Sequence, residues 1–508
     1  MPHHNPALLA VVALASACDP WRAPNELGYD GGSPLWSPAS AVALTDGVYV
    51  LLPATGGLVR IRPDGTYAAV DVGDARVTRL DRGADGTTLV AFVERYTCED
   101  EDVVRVDDCD GEELDVTQSL AVVRDGAVGS EVALDAPFNA LGFSADGRWA
   151  FAFFDFDRLD LSDLGVVSLN SVLAIDLQSG DTTPVSVGFD ADRVLFTYEA
   201  SGDATRAVVL SQSSVAVIDL LGASPARTTT FPLTLDADVA VTPADVSLTP
   251  DGQFALISTT GGSDLYALDL VNESIRIVEL GGTPGEMATD PIHDVTLLTY
   301  TSGPFAVDVL DNQSFEITRY DLEERTDRVE IAEGAPFALL WGEGVRDLYR
   351  LDLDDGDITE YRLVGGAESV SIVPGGQVAV VTTSAGVGGT AGMELLDLLG
   401  DDTAPYSLEG AAVGVAFTEV PAGTDVLLLQ DGIDYLFRLN LGSGLTEEVE
   451  LPAPPVAIGA VPDGPFYITH TTGTGLVSFL GADGELTTAS GFGTIGLLDT
   501  LNVTREGK

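Results

Sequence analysis

A four-strand segment recurs about ten times along this chain, and no other feature limits its folding as strongly. One clear copy reads Leu248-Thr-Pro-Asp-Gly-Gln-Phe-Ala-Leu-Ile-Ser-Thr-Thr-Gly, then Leu265-Tyr-Ala-Leu-Asp-Leu, then Ser274-Ile-Arg-Ile-Val-Glu-Leu. With the third strand as a ruler, copies begin near residues 58, 119, 172, 215, 264, 305, 347, 392, 434 and 475. The spacings of 41 to 61 residues suit blade-sized units, and the near absence of a 3.6-residue period excludes helical repeats. The expected fold class is all-β, a β-propeller of four-stranded antiparallel blades. Propellers usually have about four to eight blades, so ten repeats fit a single large ring, fewer merged blades, or two rings. The segment Gly491 to Val503 is one strand more than the last copy needs. It is expected to close the ring by pairing with the N-terminal blade, since an open array would expose long strand edges.

Each strand type has a burial that suits one radial position. The second strands have almost no polar alternation, as in Ser144-Ala-Asp-Gly-Arg-Trp-Ala-Phe-Ala-Phe-Phe and Val373-Pro-Gly-Gly-Gln-Val-Ala-Val-Val-Thr-Thr. Such a strand must be covered on both faces, as neighbouring blades would do. The preceding Asp-Gly steps are expected to supply the positive φ angles of tight hairpins. Third strands usually end in Asp or Asn followed by Leu: Asp176-Leu177, Asp219-Leu220, Asp269-Leu270, Asp352-Leu353, Asp397-Leu398 and Asn440-Leu441. The fourth strands, such as Ile358-Thr-Glu-Tyr-Arg-Leu, alternate with period two and read as half-exposed outer rims. The innermost strands read as apolar.

On these Asp-Gly turns and Asp-Leu strand ends, the stretch from Ala41 to Ser490 resembles the bacterial YVTN-type propeller repeats, and more loosely the WD-repeat and lactonase-like propellers. No copy carries the Trp-Asp dipeptide or spells the YVTN tetrapeptide. The resemblance is therefore to the superfamily.

Residues 1–17 hold no acidic or basic side chain, apart from His3 and His4, and Ala7 to Ala17 is an apolar run too short to span a bilayer. They read as a signal peptide. Ala15-Ser16-Ala17 before Cys18 resembles the bacterial lipobox, which implies acylation of Cys18, although the preferred Leu stands one place early at Leu14. Ordinary secretory cleavage after Ala17 is the alternative. Residues 18–39 read as the lipidated cysteine and a Pro/Gly-rich tether, 40–503 as the propeller and 504–508 as a C-terminal tail. The chain is thus expected to be an exported cell-envelope protein, held to the membrane only through its N-terminal lipid. Asp19 resembles the inner-membrane retention signal of enteric bacteria, a rule that does not hold in every phylum. Cys98 and Cys109, the other two cysteines, form a disulfide candidate that an oxidising envelope would join.

The formal net charge is −56, and Lys508 is the only lysine. Such a surface repels nucleic acid and anionic lipid, so neither is an expected partner. The acidity reads either as salt adaptation or as attraction of cations or a basic partner. With 45% hydrophobic residues and scattered acids, the chain can bury a core and is not disordered. A monomer is expected.

Little in the chain suggests catalysis. Beyond the signal segment only His293 and His470 remain, both read as strand or turn residues, and there is no G-x-S-x-G elbow, Walker loop or dinucleotide fingerprint in context. Calcium is the one metal to weigh. Asp107-Asp108-Cys109-Asp110-Gly111-Glu112-Glu113 offers hard oxygen ligands at Asp108, Asp110 and Glu112, without the first Asp and twelfth-position Glu of an EF-hand. Asp155, Asp157, Asp160 and Asp163 form a second acidic loop whose bland reading is solvated charge.

The two acidic loops, 95–118 and 155–171, are both insertions between second and third strands of consecutive copies. In a propeller they emerge on one face as neighbours. Elsewhere that junction is short and hydroxyl-rich, as in Ser258-Thr-Thr-Gly-Gly and Thr382-Thr-Ser-Ala-Gly. Arg95, Tyr96, Phe156 and Arg158 would be hot-spot anchors on such a face, because Arg and aromatics dominate binding energy. The alternative is that the turns merely suit the backbone and the insertions are decoration. The leading expectation is a non-enzymatic envelope-anchored scaffold that binds a protein, peptide or glycan. The alternatives are a lactonase-like or other cation-dependent hydrolytic propeller, and a structural surface protein without a discrete ligand.

Overall fold

The computed structural model describes residues 36, 38–98, 114–155, 168–220, 225, 227–234, 241–332, 334–384, 391–420, 423–462, 464–481 and 483–494. They form ten four-stranded antiparallel sheets, each taking its strands in sequence order. These are the ten blades of one ring: 42–70, 76–133, 140–186, 191–232, 243–279, 283–321, 328–362, 367–407, 412–450 and 455–490. Nine third strands begin within one residue of their expected starts. The exception is blade 2, whose third strand, Leu114–Arg124, begins five residues early.

First strands of neighbouring blades approach one another and ring the axis. Fourth strands lie outermost, as in the alternately exposed Arg227–Pro232. Blade 3 shows why the second strands need no polar alternation. In Trp149–Phe153 every residue is buried. Trp149, Phe151 and Phe153 pack with Phe196, Ala207 and Val209 of blade 4. Ala150 and Ala152, on the opposite pleat, pack with Val90, Phe92 and Leu120 of blade 2. Large residues fill one seam and small ones admit the previous blade. Each buried Phe contributes about 1.5–3 kcal/mol relative to an exposed one.

Ring closure uses side chains. The Trp36 indole N–H donates to the Thr472 carbonyl at 2.6 Å, and its ring meets Phe492 edge-on at 5.2 Å. Both sit in one cluster with Val48, Val50 and Val59 of blade 1 and Val477 and Phe479 of blade 10. The described part of the expected closing strand is instead a single turn of 3-10 helix, Phe492–Thr494, and residues 495–503 lie outside the described residues. Trp36, in the stretch read as tether, belongs to this seam.

The turn signals have a different mechanism from the expected one. In Ala145-Asp146-Gly147 only the glycine has positive φ, +68°. Asp146 acts through its side chain, accepting the Arg148 N–H at 3.0 Å. Asp251 does the same for Gln253 at 2.9 Å. The Asp before Leu caps the outer turn likewise: Asp176 accepts the Gln178 N–H at 2.9 Å, and Asp269 accepts those of Val271 and Asn272 at 2.9 and 2.8 Å. Among the described residues, the Asp125-Gly126 hairpin, with φ of 52° and 79°, is the one Asp-Gly turn that follows the expected pattern.

Arginines tie blades together on the same side of the ring. Arg60 of blade 1 donates to the Asp125 carbonyl of blade 2 at 2.8 Å, and Arg227 of blade 4 pairs with Glu273 of blade 5 at 2.8 Å. Arg350 of blade 7 reaches the Leu398 carbonyl and, at 3.2 Å, that of Gly400 in blade 8. A long side chain with several donors spans a seam that a short one would not.

Candidate binding face

On the opposite side of the ring lie the junctions between second and third strands and the linkers that enter each new blade. Polar groups of the entered blade pin these linkers. Tyr349 accepts the Glu324 N–H at 3.0 Å, Glu394 accepts that of Val364 at 2.6 Å, and Gln430 accepts those of Glu409 and Gly410 at 2.8 and 3.1 Å. Each pin satisfies backbone N–H groups that cross between sheets. Burial raises the Glu394 carboxyl above the usual carboxylate range. Ser258, Thr259, Thr382 and Thr383 are all buried, which favours the backbone account of those hydroxyl-rich turns.

Blade 2 departs from this pattern. Its second strand, Leu89–Cys98, pairs with Leu114–Arg124 from Leu89↔Val123 to Cys98↔Leu114. Its first strand stops at Arg76↔Glu94, and its fourth at Ser119↔Ala133. The pairs Arg95↔Thr117 to Cys98↔Leu114 therefore continue alone as a two-stranded ribbon, roughly 14 Å of extra reach at ~3.4 Å per residue. The insertion read as a loop from residue 95 is thus partly strand.

A lone two-stranded ribbon is marginal in water, and the residues at its base brace it. The Arg95 guanidinium grips Glu131 through both ends, with Nη2 to Oε2 at 2.8 Å, and Nη1 also reaches Ser119 Oγ at 3.3 Å. This contact holds the Glu131 carboxyl below the usual carboxylate range. The Tyr96 hydroxyl donates to Glu94 Oε2 at 2.6 Å, and the Gln118 amide donates to Glu94 Oε1 at 3.2 Å. Burial, and then the Glu94 bond, push the Tyr96 phenol well up. Arg95 and Tyr96 are therefore engaged within blade 2, and among the described side chains of the ribbon Thr97, Val116 and Thr117 are exposed.

In blade 3, Asn139 fixes the start of the second insertion. Its side chain accepts the Asp155 N–H at 2.6 Å and donates to the Asp155 carbonyl at 2.9 Å. Arg79, in the first strand of blade 2, donates to the Asn139 carbonyl, so that strand is tied across the seam to the base of the second insertion. Beside them a cleft of about 160 Å³ is lined by Asp135, Phe138, Ser168, Ser171 and Pro184. Cys18, Asp108, Cys109, Asp110, Glu112, Phe156, Asp157 and Arg158 lie outside the described residues, as does the side chain of Cys98.

Two arrangements escaped the sequence reading. The inner strands are not simply apolar. Arg193 of blade 4 pairs with Asp245 of blade 5 at 2.6 Å, and Ser247 bonds Thr289 at 2.6 Å across the next seam. Glu286 of blade 6 accepts the Val329 N–H of blade 7 at 3.0 Å, and burial together with Glu286 raises the neighbouring Glu330 carboxyl. The polar residues of these strands bond across the seams, where the first strands of neighbouring blades meet. Secondly, His470 Nε2 lies 2.7 Å from Ser478 Oγ, with Nδ1 2.7 Å from the Ala453 carbonyl. The Ala453 contact puts the proton on Nδ1, so Ser478 donates to Nε2. That is a base-and-hydroxyl geometry, but both residues are fully buried and hold the linker into blade 10. Only adjacency in space reveals it.

The ten sheets define the class of this protein as a ten-bladed β-propeller. No family model and no curated protein matches the chain. Among solved structures, dihydro-heme d1 dehydrogenase NirN in complex with DHE is 13% identical, with a TM-score of 0.42 over 66% of this chain and 71% of its own. A eukaryotic initiation factor is 12% identical, with a TM-score of 0.49 over 75% of this chain and 89% of its own. A catalytically inactive virginiamycin B lyase from Staphylococcus aureus with quinupristin is 14% identical, with a TM-score of 0.33 over 59% of this chain and 94% of its own. These likenesses concern the fold alone.

Proposed function

We propose that this propeller is a non-enzymatic, envelope-anchored lipoprotein that binds a protein, peptide or glycan through the face bearing the blade-2 ribbon. The observation that carries this reading is the ribbon itself, which continues past its own blade while its base is braced by Arg95–Glu131 and Tyr96–Glu94. A braced projection that runs past the first and fourth strands of its blade and exposes Val116 can meet a partner without ordering cost at its root. Acylation at Cys18 would tether the ring through the segment that leads to Trp36. Trp36 enters beside Thr472, in the junction between second and third strands of blade 10. The 17 residues from 19 to 35 would reach at most about 60 Å.

The test is cross-linking capture from envelope extract by the soluble chain from Asp19, beside a variant whose residues 97–116 and 156–170 are replaced by short Gly/Ser turns. A specific partner kept by the parent and lost by the folded variant supports the reading. Capture of nothing specific by either favours a structural role. Calcium at Asp108, Asp110, Glu112, Asp155 and Asp157 belongs to the same proposal, and its test is capture with and without a chelator. A hydrolytic role is favoured only by the inner-strand carboxylates Glu286 and Glu330, and cation-dependent hydrolysis lost on Glu330→Gln would support it.

A further inference from the structure

His293 bridges two carboxylates across a blade seam. It stands in the turn between the first two strands of blade 6, Thr283–Asp290 and Val295–Ser302. Its Nδ1 makes a short contact with Asp290 Oδ2, and its Nε2 lies 3.1 Å from Asp354 Oδ1. Asp354 follows the third strand of blade 7, Asp347–Asp352, so one imidazole spans the two blades.

The geometry states which protonation form fits. An ionised carboxylate only accepts hydrogen bonds, and a neutral imidazole has one N–H. Asp290 also accepts the backbone N–H groups of Ile292 and His293, both at 3.1 Å, as a carboxylate would. Imidazolium alone can donate to both sides. Neutral imidazole would turn a lone pair toward one carboxylate. Charged groups on the same and adjoining turns are the acids Asp294, Asp311, Asp352, Asp355 and Asp357, together with Arg276, which donates to the Ser314 carbonyl of the Asp311 turn at 3.4 Å. Asp294 is itself engaged, accepting the Asn312 and Gln313 side-chain amides at 3.3 and 2.9 Å.

We propose that Asp290, His293 and Asp354 form a proton-held clip across the seam between blades 6 and 7, closed in acid and released when the imidazolium deprotonates. Hydrogen bonding to Asp290, followed by Asp354, holds the His293 value above the ordinary one. Stability from the clip is therefore complete below about pH 6.5 and is lost as pH rises through the folded value. The two halves are unequal. The Asp290 side chain is 2% exposed and that of Asp354 70%, so solvent screens the second contact more strongly. The clip lies on the side opposite the ribbon, and the inference does not depend on the proposed binding role.

The test is proton NMR of the histidine ring resonances in the full chain from about pH 5 to 9, with His293→Gln to assign the signal. Hydrogen exchange of residues 291–294 and 353–357, corrected for intrinsic rates, is followed over the same range. The expected His293 midpoint lies above 6.5 and falls by several tenths of a unit in Asp354→Asn, and protection of both turns drops above the midpoint. His293→Gln should stay folded and lose that pH dependence. A midpoint at or below 6.5, protection unchanged across it, or pH-dependent protection persisting in His293→Gln would overturn the clip.

Discussion

Trp36 and Thr472 stand 436 positions apart in the chain, yet the indole N–H of one donates to the backbone carbonyl of the other at 2.6 Å. That contact, with Phe492 edge-on to the same ring, fastens the first blade to the last. Trp36→Ala should cost about 3–5 kcal/mol, the range for a buried aromatic truncation. Trp36→Phe, which keeps apolar area and loses one hydrogen bond, should cost about 1 kcal/mol. Denaturant midpoints of the two variants measure the difference, and equal midpoints would place closure elsewhere.

Asp308 is fully buried in blade 6, where Arg319 donates to both its oxygens at 2.7 Å and the Tyr300 hydroxyl donates to one. Arg319→Ala should destabilise by about 2–3 kcal/mol, below the usual buried-pair range because the arginine side chain is 40% exposed. The double variant Asp308→Leu/Arg319→Leu should recover much of that loss. A single-variant effect under 0.5 kcal/mol would show that water replaces the guanidinium.

His470 has the opposite proton linkage to His293. Burial lowers its folded value below the ordinary one near 6.5. Its contribution is complete above about pH 6.5 and is lost as pH falls toward the folded value. The stability difference between the parent and His470→Gln should therefore shrink between about pH 7.5 and 5, by up to ~1.4 kcal/mol for each unit separating the two values. Urea titrations at several pH values measure it, and a pH-independent difference would mean that the imidazole titrates alike in both states.

The acidic surface makes salt a further variable. With a net charge of −56, self-repulsion should fall as the Debye length shrinks from about 10 Å at 0.1 M to about 3 Å at 1 M salt. The melting temperature should rise by several degrees over that range. A flat response would remove salt adaptation as an account of the acidity.

Cys98 and Cys109, if joined, should resist alkylation in the native protein until reduced, and mass spectrometry of the alkylated chain reads this directly. Modification of both thiols without reductant would remove the disulfide and weaken the case for export.

The ten repeats and their strand order were legible because most copies carry one or both of the same local instructions: Asp-Gly before an apolar strand, and Asp-Leu at the end of the third. These signals act within a few residues, as the bonds of Asp146 to Arg148 and Asp176 to Gln178 show. The ribbon was legible only as an insertion, because Arg95–Thr117 pairing joins positions whose alternation resembles ordinary loop composition. Arg95 and Tyr96 read as free anchors because Glu131 and Glu94 become their partners only once the strands align.

The sequence by itself determined the all-β class, the repeat and the turn chemistry, since these depend on side-chain period and on bonds between residues two or three apart. Only the tertiary structure decided that the blades form one ring of ten, that Trp36 and Phe492 close it, and that His293 and His470 sit at seams. The physical reason is range. Closure and seam contacts arise between residues tens to hundreds of positions apart, and no local pattern encodes which of them will meet.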